Sequence, residues 1–200
     1  MRAAAGEVIP PRTENELAEA LRAASRGDEE GFVALYRDLQ PRLLRYATAL
    51  IGAEAEDVTA ETWLQVARDL RGFAGDLDGF RGWVSAICRN RAMDWARTRT
   101  RRPADPTEMS TLAEHPDVTD AHGSAVERMS TRWAMAHILA LPRTEAEAVL
   151  LRAVVGLDGP TAAKVLGKRP GAVRVAAHRG LKKLAAAISD DCWTEGERHA

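Results

Sequence analysis

Apolar residues recur at helical spacing along almost the whole chain, and no segment combines strand-like alternation with a hairpin turn. Thr13 and Glu16 match a capping box at the start of the first helix, and Pro41 predicts a kink or short break in the second. Four glycines within residues 71–82 predict a loop before the fourth helix. The helices predicted in this half cover about 13–25, 29–51 and 54–70, with the fourth starting near residue 80.

A change of composition separates this half from the next. Residues 103–125 hold three prolines, several acids and almost no aliphatic side chains, which predicts an extended acidic linker. The apolar periodicity then resumes. The helices predicted after the linker cover about 125–140, 144–155, 160–166 and 170–188.

Local sequence signals indicate where helices of the second half begin and end. Thr144 and Glu147 match another capping box, Gly156 ends a helix, and Leu181 belongs to the predicted core stripe of the last helix. The short third helix, a glycine-containing turn and the last helix form a helix-turn-helix pattern. The sequence thus predicts an all-α protein with two small helical domains, the second containing the helix-turn-helix. The predicted boundaries are 13–102 and 126–188, with the linker at 103–125.

The charge of the chain is segregated although its formal net charge is only −1. Residues 81–102 carry seven arginines against the single acid Asp94, and residues 164–183 carry seven lysines and arginines without an acid. The linker between them is acidic. Because local sign decides which surface meets phosphate, the two basic blocks are candidate nucleic-acid surfaces. The arginines of the first block are Arg81, Arg89, Arg91, Arg97, Arg99, Arg101 and Arg102.

The second basic block coincides with the helix-turn-helix pattern. Small residues leave the last helix slim enough for a major groove, and Arg174, His178 and Arg179 offer donors to bases and phosphates. An ordinary helical hairpin with a solvated basic face is the alternative. The absence of any acid within residues 164–183 favours DNA binding.

The first basic block joins an apolar helix start to an arginine-rich end. We expect Trp83 in the core, whereas Trp95 fits either the core or a platform that stacks an unpaired base. Asn90 suits a base edge and equally a plain surface position. The glycine-rich loop before this helix suits either a flipped base or a simple connector.

No pattern of an enzyme is present. The histidines are scattered without metal-binding spacing, and neither a phosphate-binding loop nor a nucleophile motif occurs. Cys88 and Cys192 are too few and too far apart for a disulfide framework or a metal knuckle, so we expect no metal or cofactor and a reducing, cytoplasmic setting. No apolar run is long enough to span a membrane, and the N-terminus lacks the apolar core of a signal peptide.

Three stretches together resemble the extracytoplasmic-function (ECF) group of bacterial RNA polymerase sigma factors over roughly residues 15–188. They are "AEAEDVTAETWLQVARDLRGF", "FRGWVSAICRNRAMDWARTRTRR" and "LPRTEAEAVLLRAVVGLDGPTAAKVLGKRPGAVRVAAHRGLKKL". The resemblance implies core RNA polymerase, promoter DNA and an anti-sigma factor as partners. It implies polymerase contacts from Asp57, Glu61, Thr62 and Trp63. It implies −10 element contacts from Phe73, Asn90, Arg97, Arg99, Arg101 and Arg102. It implies −35 element contacts from Arg169, Arg174, Val175, His178, Arg179 and Lys182.

The chain departs from the family pattern at several positions. Ala60 replaces the usual glutamine, which puts one polymerase contact in doubt, and Pro160-Thr161 replaces an acidic pair. Val175 and Ala176 are less polar than usual, which alters the expected promoter sequence. The competing hypothesis is a two-domain helix-turn-helix regulator whose first domain senses a ligand or binds a partner. Such a sensor has no need of the basic residues 89–102, and failure to bind core polymerase would favour it.

Overall fold

A computed structural model of the protein describes residues 12–101 and 133–197, with side chains for 12–99 and 133–187. Helices connected by short turns make up these residues, and they contain no strand. Arg102 and the predicted acidic linker, 103–125, lie outside the described residues. The helices are α1 (Glu14–Ser25), α2 (Glu29–Ile51), α3 (Ala55–Asp69), α4 (Leu77–Arg101), α5 (residues 133–139), α6 (Arg143–Val149), α7 (Gly159–Leu166) and α8 (Pro170–Glu197).

The N-terminal helices pack around one apolar core. The predicted capping box is confirmed, because Thr13 Oγ1 accepts from Glu16 N–H at 3.3 Å and Glu16 Oε2 accepts from Thr13 N–H at 2.7 Å. The hydrogen bonds that Thr13 N–H and the Thr13 hydroxyl donate to the carboxylate lower the pKa of Glu16. Helix α2 continues through Pro41, so no break occurs there. The largest fully buried side chains of this core are Leu17, Leu35, Leu39, Leu43, Tyr46, Val66, Phe80 and Val84.

Helix α4 begins earlier than the glycines suggested. Asp76 Oδ1 accepts a hydrogen bond from Gly79 N–H at 2.8 Å and so caps a helix that starts at Leu77. The predicted loop over residues 71–82 was therefore too long. Early capping brings Phe80 and Val84 into the core and fixes the orientation of the whole of α4.

The C-terminal helices follow their local signals with two exceptions. Gly156 (φ 87°) and Gly167 (φ 62°) take the positive φ values that end helical segments, and Asp158 caps α7. The capping box at Thr144 and Glu147 is wrong, because α6 starts after Pro142 without a side-chain cap. A π-helical turn, Leu150–Val154, follows α6, and α8 continues to Glu197, beyond the predicted end at 188.

The two helical domains pack against each other. Helix α4 lies along α7, and α2 meets the π-helical turn. Consequently the first basic block borders the helix-turn-helix. None of the described helices has the length and apolar character that a bilayer crossing requires.

Candidate nucleic-acid interface

Helices α7 and α8 form the helix-turn-helix that the sequence predicts. Asp158 Oδ1 accepts from Thr161 N–H at 2.7 Å, and this capping lowers the pKa of Asp158. Gly167 takes the left-handed conformation that turns the chain into α8 at Pro170. This geometry directs the first turns of α8 outward.

Helix α8 separates an inner apolar face from an outer basic face. Val173, Ala176 and Ala177 are buried. The outer side chains have no hydrogen bond or ion pair with the residues that the structure describes, so their donors are available to a ligand. Val175 is 45% exposed among them and adds an apolar contact surface. The exposed residues of this face, together with one that precedes α8 in the chain, are Arg169, Arg174, Val175, His178, Arg179 and Lys182.

Helix α8 packs very closely on α6 at Gly180. A Cβ added there would lie 2.7 Å from Val149 Cγ2 and 3.3 Å from Leu141 Cδ1. The glycine therefore occupies the core stripe at this level of the helix. Leu181, predicted in that stripe, is 49% exposed instead.

Most arginines early in α4 are neutralised by partners within the protein. Arg81 is 4% exposed and binds Glu14 and Asp38. Arg89 binds Glu147 of α6 at 2.9 Å. These two arginines are structural, a role that the sequence reasoning missed because their partners lie far away along the chain.

The later arginines of α4 are more exposed. Arg97 pairs with Asp94 at 3.1 Å, but both side chains face solvent. Arg99 lies 3.7 Å from Glu54 and covers the ring of Trp95, with 5.3 Å between its guanidinium carbon and the ring centroid. Trp95 is half-buried against the core, so Arg99 occupies the ring face that a base would stack on. The structure describes no side chain for Arg101 and does not describe Arg102.

An open cleft lies where α3 and α4 approach each other. Its volume is about 570 Å³, and Phe73 and Trp83 form an aromatic pair in its wall, with centroids 5.2 Å apart and planes at 25°. Trp83 is thus half-buried and not wholly in the core. The lining residues are Arg68, Asp69, Gly72, Phe73, Ala74 and Trp83.

One stripe of α4 leads away from this cleft. Seven-residue steps return to nearly the same helix face, so Asn90 and Arg97 follow Trp83 at about 10 Å and about 20 Å along the axis. Asn90 and Arg97 are exposed. An aromatic wall, an amide and a cation thus lie in line along α4. An aromatic ring can stack on an unpaired base, an amide can hydrogen-bond to the edge of the base, and a cation can bind the adjoining phosphate backbone.

The face expected to contact polymerase is only partly formed by the residues predicted for it. Asp57 and Glu61 are exposed on α3. Thr62 is fully buried and donates to the carbonyl of Val58 at 2.7 Å, and Trp63 donates from Nε1 to Gln40 at 2.7 Å. The side chains of Thr62 and Trp63 therefore support α3 from inside.

An exposed leucine completes the outer face of α3. Leu64 is 59% exposed and lies one and two turns from Glu61 and Asp57 on the same helix face. Leu64 therefore adds an apolar contact surface beside Asp57 and Glu61.

Both domains match family models. The model described as Sigma-70 region 2 matches residues 35–102, and that described as Sigma-70, region 4 matches residues 132–184. The ECF RNA polymerase sigma factor ShbA of Streptomyces griseus is 30% identical over 174 residues, which cover 82% of this chain and 90% of that protein. BldN, an ECF RNA polymerase sigma factor of Streptomyces coelicolor, is 29% identical over 86% of this chain, which spans 66% of BldN.

A solved structure has the same fold. The sigma factor RpoE of Bartonella quintana, crystallised with the anti-sigma factor NepR, superposes with a TM-score of 0.62. The match covers 77% of this chain and 94% of that one at 21% sequence identity.

Proposed function

The chain belongs to the ECF group of bacterial RNA polymerase sigma factors, and from this premise we propose how its residues direct promoter-specific initiation. As a member of this group it is a transcription initiation factor and not an enzyme; it binds core RNA polymerase and promoter DNA. We assign −10 recognition and polymerase docking to residues 13–102. Residues 126–188 are assigned to the −35 element.

The outer face of α8 supports the assignment of −35 recognition to the C-terminal domain. Arg174, His178 and Arg179 present unpaired donors at the start of the second helix of a helix-turn-helix, where base edges are contacted. Arg169 and Lys182 flank them and suit phosphate contacts. This exposed basic face is the observation that carries the proposal most directly.

The cleft at Phe73 and Trp83 supports capture of an unpaired −10 base. Its aromatic pair offers a stacking surface, and Asn90 offers amide donors and acceptors to a base edge. Arg97 and Arg99 would hold the adjoining backbone, together with Arg101 and Arg102. The arginines before Asn90 are excluded from this role because acids within the protein already neutralise them.

The outer face of α3 supports polymerase docking. We assign the contact to Asp57, Glu61 and Leu64, with Thr62 and Trp63 holding the helix in place from inside. Leu64→Ser should weaken co-elution with core polymerase, whereas Leu64→Met keeps the apolar surface and should retain it. Equal co-elution of both variants would refute the assignment.

An anti-sigma factor is a further partner. RpoE of Bartonella quintana is known in complex with the anti-sigma factor NepR, and CnrH is known in complex with the cytosolic domain of CnrY. We propose that such a protein binds this chain in the cytoplasm and covers one of its exposed faces. Co-expression with a cognate anti-sigma factor should abolish transcription without altering the fold.

Arg174→Ala tests the separation of roles between the two domains. Loss of a bidentate base contact costs about 1–3 kcal/mol, so binding to the −35 duplex should fall by roughly five- to 150-fold while co-elution with core polymerase is unchanged. Arg22→Ala, on the exposed side of α1, is the matched control. An equal loss of polymerase binding in Arg174→Ala would contradict the assignment.

Asn90→Ala tests the −10 assignment. Promoter opening, followed by 2-aminopurine fluorescence in the −10 element, should slow, with closed-complex formation unaffected. Asn15→Ala in the exposed first turn of α1 should behave as the parent protein. A defect confined to the closed complex would refute the role. If the protein binds duplex DNA but never core polymerase, the two-domain regulator is the better description.

A further inference from the structure

Arg91 belongs to the first basic block but turns away from the other groups that α4 offers to DNA. Successive residues of an α-helix point about 100° apart, so Arg91 lies well round the helix from the stripe that contains Trp83, Asn90 and Arg97. Its side chain is 30% exposed, whereas that of Arg97 is 73% exposed. Arg91 therefore lies on the side of α4 that packs against α3.

The guanidinium of Arg91 holds two side chains of α3 at once. Nη1 donates to Glu61 Oε2 at 2.5 Å, and Nη2 donates to Gln65 Oε1 at 3.0 Å. These two residues are one helical turn apart on α3 and lie 30 and 26 residues before Arg91 in the chain. Nε of Arg91 is buried without a partner among the described residues. The polar contacts that Arg91 makes with the described residues thus all go to one face of a different helix.

These contacts leave one polar group available on each of the two α3 side chains. Glu61 uses Oε2 and keeps Oε1 for another donor, while Gln65 uses Oε1 and keeps its Nε2 amide for another acceptor. The Glu61 side chain is 62% exposed, and Gln65 is half-buried. Leu64, which is 59% exposed, lies between them in the chain. A fixed acceptor, an apolar surface and a fixed donor thereby lie along the face of α3 proposed above to dock on polymerase.

Fixing these side chains before binding favours docking. A long polar side chain on a helix surface samples several rotamers, and a protein that binds it must first immobilise it. Arg91 already orders both side chains in the free factor, through a charge-assisted hydrogen bond to Glu61 and a second bond to Gln65. An ion pair as exposed as this one contributes little to the stability of the fold. The contact therefore has more effect on binding than on folding.

We propose that Arg91 is a positioning residue for polymerase docking, which acts through Glu61 and Gln65 and does not contact DNA. The inference rests on the docking face of α3 described under the proposed function, and it deepens that proposal by adding a residue from α4. The helix that offers Asn90 to the −10 element thus orders the polymerase-binding face with the very next residue in the chain.

Replacement of Arg91 by glutamine tests the proposal. The affinity of the full-length chain for core RNA polymerase, measured by biolayer interferometry, should fall about five- to tenfold, because two side chains must then be ordered on binding. Arg91→Lys keeps a charge for Glu61 but lacks the planar fork that also reaches Gln65, so it should recover part of the loss. Arg97→Gln is the matched control: Arg97 pairs with Asp94 of its own helix, and its loss should leave polymerase affinity unchanged.

A double-mutant cycle shows whether Arg91 acts through Glu61. Glu61→Gln removes the charged acceptor, so adding Arg91→Gln to it should cost less polymerase affinity than Arg91→Gln costs in the parent. Fully additive losses would show that Arg91 acts independently of Glu61 and would overturn the positioning role. Tighter binding by Arg91→Gln would also overturn it, because Arg91 would then compete with polymerase for the carboxylate.

Two further measurements separate docking from folding and from DNA binding. The urea unfolding midpoint of Arg91→Gln should stay close to that of the parent. The affinity of the assembled holoenzyme for a single-stranded −10 oligonucleotide should be unchanged in Arg91→Gln and weaker in Arg97→Gln. A loss of polymerase affinity matched by a loss of stability would make Arg91 structural, and a loss of oligonucleotide affinity alone would make it a DNA contact. Either result overturns the proposal.

The docking face and the role of Arg91 are distinguished by comparing two variants. If Leu64→Ser weakens polymerase binding and Arg91→Gln does not, the docking face is correct and the role of Arg91 is wrong. If neither substitution changes polymerase binding, the docking face itself lies elsewhere on the chain, and the role of Arg91 is refuted together with it.

Discussion

Arg81 supplies the sharpest test of which α4 arginines serve the fold. Its Nη1 and Nη2 bind Glu14 at 3.0 and 3.1 Å, and Nη2 also binds Asp38 at 3.1 Å. Only 5% of the Arg81 side chain is exposed, against 71% for Glu14 and 18% for Asp38. Helices α1 and α2 are thereby both fastened to α4. Burial acts to lower the pKa of Arg81, but the hydrogen bonds and charges of Glu14 and Asp38 together outweigh it and raise the pKa, so Arg81 stays charged.

Replacing Arg81 by methionine keeps the apolar stem and removes the charge. The bond to Asp38 should contribute about 1.5–3 kcal/mol, and the contact with the largely exposed Glu14 about 0.5 kcal/mol. Asp38 retains Arg42, which limits the loss. We therefore expect Arg81→Met to lower the free energy of unfolding by about 2–3 kcal/mol, and Arg81→Ala by about 4 kcal/mol because packing is also lost.

Urea unfolding followed by tryptophan fluorescence measures this change, because Trp63 and Trp83 report on the N-terminal helices. Arg97→Met, at an arginine whose side chain is 73% exposed, is the control and should shift stability by less than about 0.5 kcal/mol. An Arg81→Met variant as stable as the Arg97→Met control would refute the assignment of Arg81 to the fold. So would an intact fold accompanied by a selective loss of DNA binding.

Three further predictions follow from single positions. Burial raises the pKa of the Cys88 thiol to about 12, so Ellman's reagent at pH 8 should react with Cys88 only after unfolding when Cys192 is replaced by serine. Rapid reaction of the native Cys192→Ser protein would contradict the burial of Cys88. Gly180→Val should lower the free energy of unfolding by about 1–3 kcal/mol, measured by thermal unfolding, because its Cβ would lie 2.7 Å from Val149 Cγ2. A Cβ at Gly171 has no atom within 4 Å, so Gly171→Ala should not destabilise the protein, and equal losses in the two variants would refute the close packing at Gly180. Replacing thymidine by deoxyuridine in the −35 element removes one methyl group, which is worth roughly 0.8 kcal/mol, and should weaken binding of the parent protein about fourfold. The same replacement should not weaken binding of Val175→Ala, and an equal effect in both proteins would exclude a thymine contact by Val175.

Sequence signals confined to one or two helical turns predicted the local structure well. Thr13 and Glu16 close their capping box, and Gly156 ends its segment. Such signals failed for two reasons. A competing local cap, Asp76, started α4 before the glycines could extend the loop, whereas the tertiary contact of Gly180 with α6 turned Leu181 outward.

Glu147 shows where local patterns stop being informative. Its spacing from Thr144 predicts a capping box, yet its carboxylate binds Arg143 and Arg89, the latter 58 residues away. A carboxylate can accept hydrogen bonds from the backbone at a helix start or from guanidinium groups. Once the domains are packed, Glu147 accepts from two guanidinium groups, and such charge-assisted hydrogen bonds are stronger than neutral ones. No signal in the sequence distinguishes these alternatives.

The sequence by itself determined the all-α class, the order of the two domains, the helix-turn-helix and the two basic blocks. These properties depend on apolar periodicity, on caps and on the type of each residue, all of which act between near neighbours. Tertiary structure alone decided which cations are free. Arg81 and Arg89 are neutralised by acids on other helices, and Arg174 and Arg179 are not. The reason is that the partner of a charge is set by the packing of distant helices, which periodicity within one helix does not encode.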